Sequence, residues 1–197
     1  MTSDNTRGPW RIHSTRTVYD NPWIRVMEHD VARPDGEPGL YGVVEFKNYA
    51  IGVLPIDAEG RTWLVGQHRF PRNVYSWELP EGGGPKTDDP LASAQRELKE
   101  ETGLSAQSWF PFLRMDLSNS VTDERAFCFL AWDLHEGVAT PDETEVLEAR
   151  RRPFSEVFSM VMAGEIEDSL TVAMVLKARM MALSGALPDH ICVKLTC

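Results

Sequence analysis

The sequence predicts an α/β protein: an α/β/α sandwich around a mixed sheet, preceded by a small antiparallel sheet. Three observations predict it. Short alternating segments between turn signals run from Trp10 to Phe46. Two more strand patterns then lead into one well-capped helix, followed by further strand patterns. Two helical stretches close the chain. This order divides the chain into N-terminal antiparallel strands (1–46), a main domain (47–184) and a C-terminal tail (185–197).

Alternation of apolar and polar residues over a few positions marks a half-buried strand. Arg16–Tyr19, Trp23–Met27 and Leu40–Phe46 show it, separated by Asp20-Asn-Pro22 and Arg33-Pro-Asp-Gly36, both turn sequences. Ala50–Ile56 and Arg61–Gln67 form the next pair, joined by Asp57-Ala-Glu-Gly60. Strands near Trp109–Leu117 and Arg125–Trp132 follow the helix, then an acidic loop over Glu136–Glu145 and a strand over Val146–Arg152. Helices are predicted over Ser155–Ala163 and Ser169–Leu183, the second packing through Leu170, Met174, Leu176, Ala178 and Met181.

At 197 residues the chain can bury one substantial core and a small appended sheet. The net charge of −10 argues against a nucleic-acid partner, which requires a basic surface. An anionic substrate must therefore be met by cations and a few placed arginines. Cys128, Cys192 and Cys197 lack metal-like or redox spacing and read as thiols of a reducing compartment. The polar start of the chain and the lack of a membrane-length apolar run make no membrane association and a cytoplasmic location the expectation.

The helix between the strand groups carries the chemistry. Asp89 can cap it, Pro90 suits the first helical position, and Gly103 supplies a left-handed stop with Leu104 after it. Leu91, Ala94, Leu98 and Thr102 make the apolar stripe. Glu97, Glu100 and Glu101 then crowd one side near the C-terminus. Like charges at that spacing repel, and the helix dipole there is already negative; each effect costs a few tenths of a kcal/mol, up to about 1. A solvated charged face is one reading, and Lys99 fits it. A hard divalent cation is the other, since such ions seek clustered carboxylate oxygens.

The extended pattern decides between them. Gly82, Asp88, then Arg96-Glu-Leu-Lys-Glu-Glu-Thr-Gly-Leu104 resembles the Nudix box of the Nudix hydrolases over its whole length. One position departs: the family's usual middle glutamate is Asp88 here, a shorter carboxylate outside the main ligand set. The resemblance implies Mg²⁺ or Mn²⁺ held by Glu97, Glu101 and Glu100, with the backbone carbonyl of Glu81 completing the shell and Arg96 holding the glutamates.

Gln67–Gly84 is similar to the stretch before the box in ADP-ribose pyrophosphatases and nucleoside-diphosphate-sugar hydrolases. That similarity implies Arg69 on the diphosphate, as a guanidinium fork suits phosphate, and Glu78 near the distal sugar. It also implies that the N-terminal strands pair two subunits into a homodimer. Trp10, Trp23 and Trp77 are candidates for stacking on the base, Trp23 being included in the expected substrate site; core or interface packing is the competing reading. In the ADP-ribose relatives the general base comes from a mobile acidic loop, which corresponds here to Thr140–Glu145, with Glu143 the first choice and Glu145 the second. A solvated acidic loop is the alternative. The proline those relatives carry about sixteen residues past the box falls at Ser120, which leaves GDP-mannose-like and other nucleotide sugars open beside ADP-ribose.

The implied function is metal-dependent hydrolysis of the diphosphate bond of a nucleoside diphosphate sugar, giving a nucleoside monophosphate and a sugar phosphate. A non-catalytic sensing or binding module of the same fold is the alternative; such modules lose box glutamates, and this chain keeps all three. Isoprenoid diphosphate isomerisation requires a placed cysteine, and Cys128 has no acid–base partner beside it in sequence.

Overall fold

The structure, a computed structural model, describes residues 5–140 and 146–196. Its strands in chain order are β1 (Thr6–Arg7), β2 (Trp10–Asp20), β3 (Ile24–Ala32), β4 (Pro38–Phe46), β5 (Asn48–Pro55), β6 (Arg61–Arg69), β7 (Val74–Glu78) and β8 (Glu81–Pro85). Helix α1 (Pro90–Thr102) precedes β9 (Ser105–Asp116), β10 (Arg125–His135) and β11 (Glu148–Pro153). Helices α2 (Phe154–Ala163), α3 (Ser169–Leu183) and α4 (Asp189–Thr196) follow.

The chain forms two compact units, one of residues 1–49 and 116–125, the other of 50–115 and 126–197. The first holds an antiparallel sheet in the order β1-β2-β3-β4. Two register shifts, between Ile12 and Ser14 and between Thr17 and Tyr19, bend β2 against β3. Val44 bridges Thr122, and Tyr41 Oη donates to the carbonyl of Ser120 at 2.8 Å, so residues 118–123 belong to this unit.

The second unit has a sheet ordered β8-β5-β10-β9, in which β5 and β10 run parallel with Ile51 opposite Phe127, and a second, antiparallel sheet ordered β11-β6-β7. Successive strand residues face opposite sides, and β5 shows what that does. A side chain on Gly84 would meet Ser93 of α1 and Ile51 of β5, whereas one on Gly52 would meet Met174 of α3. Helices α1 and α3 therefore lie on opposite faces of the sheet, as an α/β/α sandwich requires.

The core follows from these faces: Ile51, Val53, Leu54, Leu64, Leu79, Leu98, Leu104, Leu130, Phe154 and Met174 are buried. Two expectations change in detail. Helix α3 buries Thr171 and Val175 rather than Leu176 and Met181, because Thr171 Oγ1 accepts the backbone N–H of Leu79 at 2.8 Å and turns that face inward. Residues 74–78 and 81–85 are strands, the second concealed by its glycine-rich sequence. The C-terminal segment carries α4, whose Ile191 and Leu195 are buried.

Candidate active site

Helix α1 is built as its sequence specifies. Asp89 caps it, accepting the Leu91 N–H at 3.1 Å, and Pro90 opens the first turn. Gly103 ends it at φ 73°, its N–H donating to the carbonyl of Lys99 at 2.9 Å. The inner face buries Ser93, Ala94, Glu97, Leu98 and Glu101. Glu97 and Glu101 are only 8% and 5% exposed, a degree of burial glutamates reach only when their charge is answered.

Donors from β8 and from α1 itself meet these carboxylates. The backbone N–H of Glu81 donates to Glu101 Oε2 at 3.0 Å. Arg96 reaches Glu97 Oε1 at 2.7 Å and Glu100 Oε2 at 2.6 Å, and also donates to the Gly83 carbonyl at 2.7 Å. One guanidinium thus ties two glutamates to the β8 backbone. Burial alone would lower Arg96, but Glu97 and Glu100 outweigh it and hold the guanidinium above its ordinary value. Gly82 supplies space: a Cβ there would lie 2.5 Å from Glu97 Oε1 and closer still to the rest of that carboxylate.

Glu81 is the junction with a second cluster. Its N–H serves Glu101, while its side chain turns to Arg69, whose Nη2 donates to Glu81 Oε1 at 2.8 Å. Arg69 also forks onto Glu78, with Nε 2.9 Å from Oε1 and Nη2 bonded to Oε2. Glu78 is buried at the end of β7. Asp168, the N-cap of α3, completes the group: one carboxylate oxygen from each of Glu78, Glu81 and Asp168 lies within 4.8 Å of the others. Burial, then the charges of Asp168 and Glu78, push the Glu81 carboxyl well above the ordinary carboxylate range, with Arg69 opposing them. The same negative field reaches Cys128, whose thiol burial first, then Glu81 and Asp168, push up to about 12.

The structure therefore brings together Glu97, Glu100, Glu101, Arg96 and Glu81, and joins Arg69 and Glu78 to them through Glu81. Glu143 and Glu145 lie outside the described residues. The segment leading to them is anchored at the site, because the Thr140 N–H donates to the Glu100 carbonyl at 3.0 Å. Trp23 belongs to the other unit and is 68% exposed. Trp10 packs edge-on against Tyr41, with ring centres 5.2 Å apart. Trp77 has Arg150 over its ring at 4.3 Å and Tyr75 at its edge.

Asp168 and the side chain of Glu81 are site residues that sequence reasoning missed. Asp168-Ser-Leu-Thr171 is a legible helix start, since Asp168 caps by accepting the Thr171 N–H at 2.7 Å. Nothing in the spacing links residue 168 to the box. That link exists only because the α3 N-terminus docks on Leu79.

Known proteins resemble this chain in sequence and in fold. A family model described as the NUDIX domain matches residues 47–171, and one described as the nucleoside diphosphate sugar hydrolase N-terminal domain matches residues 10–44. A CMP-5'-(N-acetyl-N-hydroxy-3-aminopropyl)phosphonate hydrolase of Streptomyces rubellomurinus is 31% identical over 163 residues, covering 82% of this chain and 78% of that protein. An ADP-ribose pyrophosphatase of Mycobacterium tuberculosis is 30% identical over 183 residues, covering 89% and 86%. Among solved structures, an ADP compounds hydrolase superposes with a TM-score of 0.78 at 20% identity, over 89% of this chain and 96% of that one, which establishes likeness of fold.

Proposed function

The chain belongs to the Nudix hydrolase family, and from that premise we propose that it hydrolyses the diphosphate bond of a nucleoside diphosphate sugar, with ADP-ribose the first candidate. The observation that carries this reading is the Glu97–Glu101–Glu81 arrangement: two nearly buried carboxylates converge on one strand backbone beside a glycine that leaves them room. The similarity to an ADP-ribose pyrophosphatase and to a hydrolase acting on a CMP-5'-phosphonate supports a substrate built on a 5'-nucleotide. GDP-mannose-like and other nucleotide sugars remain within the same class.

The donor set suits Mg²⁺ or Mn²⁺. It is all oxygen, it gathers three carboxylates on α1, and Gly82 leaves room for the Glu97 carboxylate against β8. Glu97, Glu100, Glu101 and the Glu81 carbonyl would hold the ions. Bound there, a divalent cation supplies positive charge to neutralise the diphosphate and the departing phosphate.

The chain's own residues do the rest. Arg96 fixes the glutamates relative to β8. Arg69 grips the diphosphate with its fork, and Glu78 accepts from hydroxyls of the distal sugar. A carboxylate of the acidic loop, Glu143 first and Glu145 second, takes the proton of the attacking water. The oxygen of that water bonds to one phosphorus, the bridging P–O bond breaks, and the electron pair leaves with the other phosphate. The products are a nucleoside monophosphate and a sugar phosphate. Trp23 stacks on the base, and the N-terminal sheet pairs two subunits. No helix among the described residues is long and apolar enough to cross a membrane.

The test is phosphate release, coupled to a phosphatase, from ADP-ribose, nucleoside diphosphate sugars, dinucleoside polyphosphates and nucleoside triphosphates, with Mg²⁺ or Mn²⁺. Metal-dependent cleavage of a diphosphate sugar is expected. No turnover across the panel, with tight binding of one compound, would instead mark a sensing module.

A further inference from the structure

Glu78, Glu81 and Asp168 come from three elements, the end of β7, the start of β8 and the cap of α3, yet their carboxylates converge within 4.8 Å. Among the described residues, Arg69 is ion-paired with two of these three acids, Glu78 and Glu81. When all three acids are ionised the cluster is short of positive charge in a place water reaches poorly, and that charge must be answered there by a cation or a proton. One atom shows where. Glu81 Oε2 is buried and meets no hydrogen-bond donor among the described residues; its side chain is only 9% exposed, and its other oxygen is held by Arg69. The neighbours it faces are carboxylates, which offer oxygen and no proton when ionised.

We propose that Glu78, Glu81 and Asp168 form a second site for a hard divalent cation, separate from the carboxylates of α1, and that a cation bound there competes with Arg69 for their oxygens. The geometry suits one ion. Oxygens on opposite sides of a cation lie at most twice the metal–oxygen distance apart, about 4.2 Å for Mg²⁺ and about 5 Å for Ca²⁺, and the three carboxylates already fall near that range. The set holds no nitrogen or sulfur donor, which selects a hard ion. The ends of the group are fixed: Asp168 stays in place through its cap bond to Thr171, and Glu81 through its backbone bond to Glu101.

The competition gives the site a function. Arg69 is tied to Glu78 and Glu81, so its fork is spent on protein carboxylates. A divalent ion on the same oxygens replaces that partner and frees the guanidinium for an anionic substrate. This role rests on the reading of Arg69 as a diphosphate ligand; the cation site does not.

The test counts Mn²⁺ by the electron paramagnetic resonance of the free ion, with thermal melting as the check on folding. The variant Glu97→Gln with Glu101→Gln removes the principal carboxylates of α1. It should still bind one equivalent of Mn²⁺, and adding Asp168→Asn, which keeps a cap acceptor for Thr171, should weaken that equivalent at least tenfold. Arg69→Gln in the same background should tighten it about tenfold by removing the competitor. The site is overturned if the box variant binds no Mn²⁺, as when a proton shared between Glu81 and Asp168 answers the charge, or if Asp168→Asn leaves the retained ion unchanged. Unchanged or weaker binding in Arg69→Gln overturns the competition. Because these readouts need no substrate, they stand apart from a failure of the substrate panel.

Discussion

The carboxylate of Glu97 occupies the space that a side chain on Gly82 would need. The glycine at the head of the box and the first glutamate of its helix are thus one feature, though fifteen residues apart in sequence. Gly82→Ala should push Glu97 away from β8 while leaving the core intact. Activity is expected to fall about 10–100-fold, the size typical for disturbing the support of a metal ligand. Stability should change by no more than about 1 kcal/mol, since a flexible side chain absorbs the clash. Kinetics beside a thermal melt separate the two effects.

Arg96 bridges Glu97, Glu100 and the Gly83 carbonyl. A lysine carries the charge but cannot hold three acceptors in one plane. Arg96→Lys should keep the fold and lower kcat about 10–100-fold. Metal titration of the variant should show weakened Mg²⁺ saturation.

Gly103 is left-handed and tightly covered. A Cβ would come within 2.7 Å of the Gly137 carbonyl oxygen and the Ala139 nitrogen, both backbone atoms that cannot step aside. Gly103→Ala should cost at least about 1–2 kcal/mol from the left-handed conformation alone. It should also lower activity, because residues 137–140 pack on α1 and are tied to it by the Thr140–Glu100 bond. Denaturant unfolding and steady-state rates check both parts.

Asp57 sets an acid limit on stability. Burial would raise its carboxyl, but the backbone N–H of Arg61, the side chains of Arg151 and Arg61, and the N–H of Glu59 outweigh that and hold it below the ordinary range. The folded state therefore prefers the ionised form. Its contribution is fully present above the unfolded value, about 3.9, and is lost as pH falls through the lower folded value. Asp57→Ala should cost about 1–3 kcal/mol near neutrality, because the backbone N–H groups of Glu59 and Arg61 lose their acceptor. The gap between wild type and variant should hold constant from about pH 7 to 5 and narrow below about 4. Urea melts across that range measure it.

Cys128 should be silent toward thiol reagents in the native protein. Its thiol sits at about 12, so the thiolate fraction at pH 8 is on the order of one in ten thousand. With Cys192 and Cys197 changed to serine, labelling should appear only on unfolding. Fast native labelling would show Cys128 open and activated, as isomerase chemistry requires.

Much of this was legible in sequence for a physical reason. Helix α1 is specified locally: Asp89, Pro90 and Gly103 fix its ends, and the spacing of Glu97 and Glu101 fixes their shared face. The parallel pairing of β5 with β10 and the approach of Asp168 to Glu81 are not local. They arise from the sheet order and from α3 docking through Thr171 on Leu79, which no periodicity encodes. Strand β8 escaped because Glu81-Gly-Gly-Gly-Pro85 carries no alternation; its glycines admit Ser93 and Glu97 instead.

The most direct measurement is turnover of ADP-ribose with Mg²⁺ by wild type and Glu101→Gln at matched folding. Glu101 joins α1 to the Glu81 backbone, so the account predicts AMP and ribose phosphate as products, abolished by chelator and reduced at least about 100-fold in the variant, beyond what loss of a supporting residue costs. Wild-type cleavage that survives chelation, or a variant within a few-fold of wild type, would contradict it.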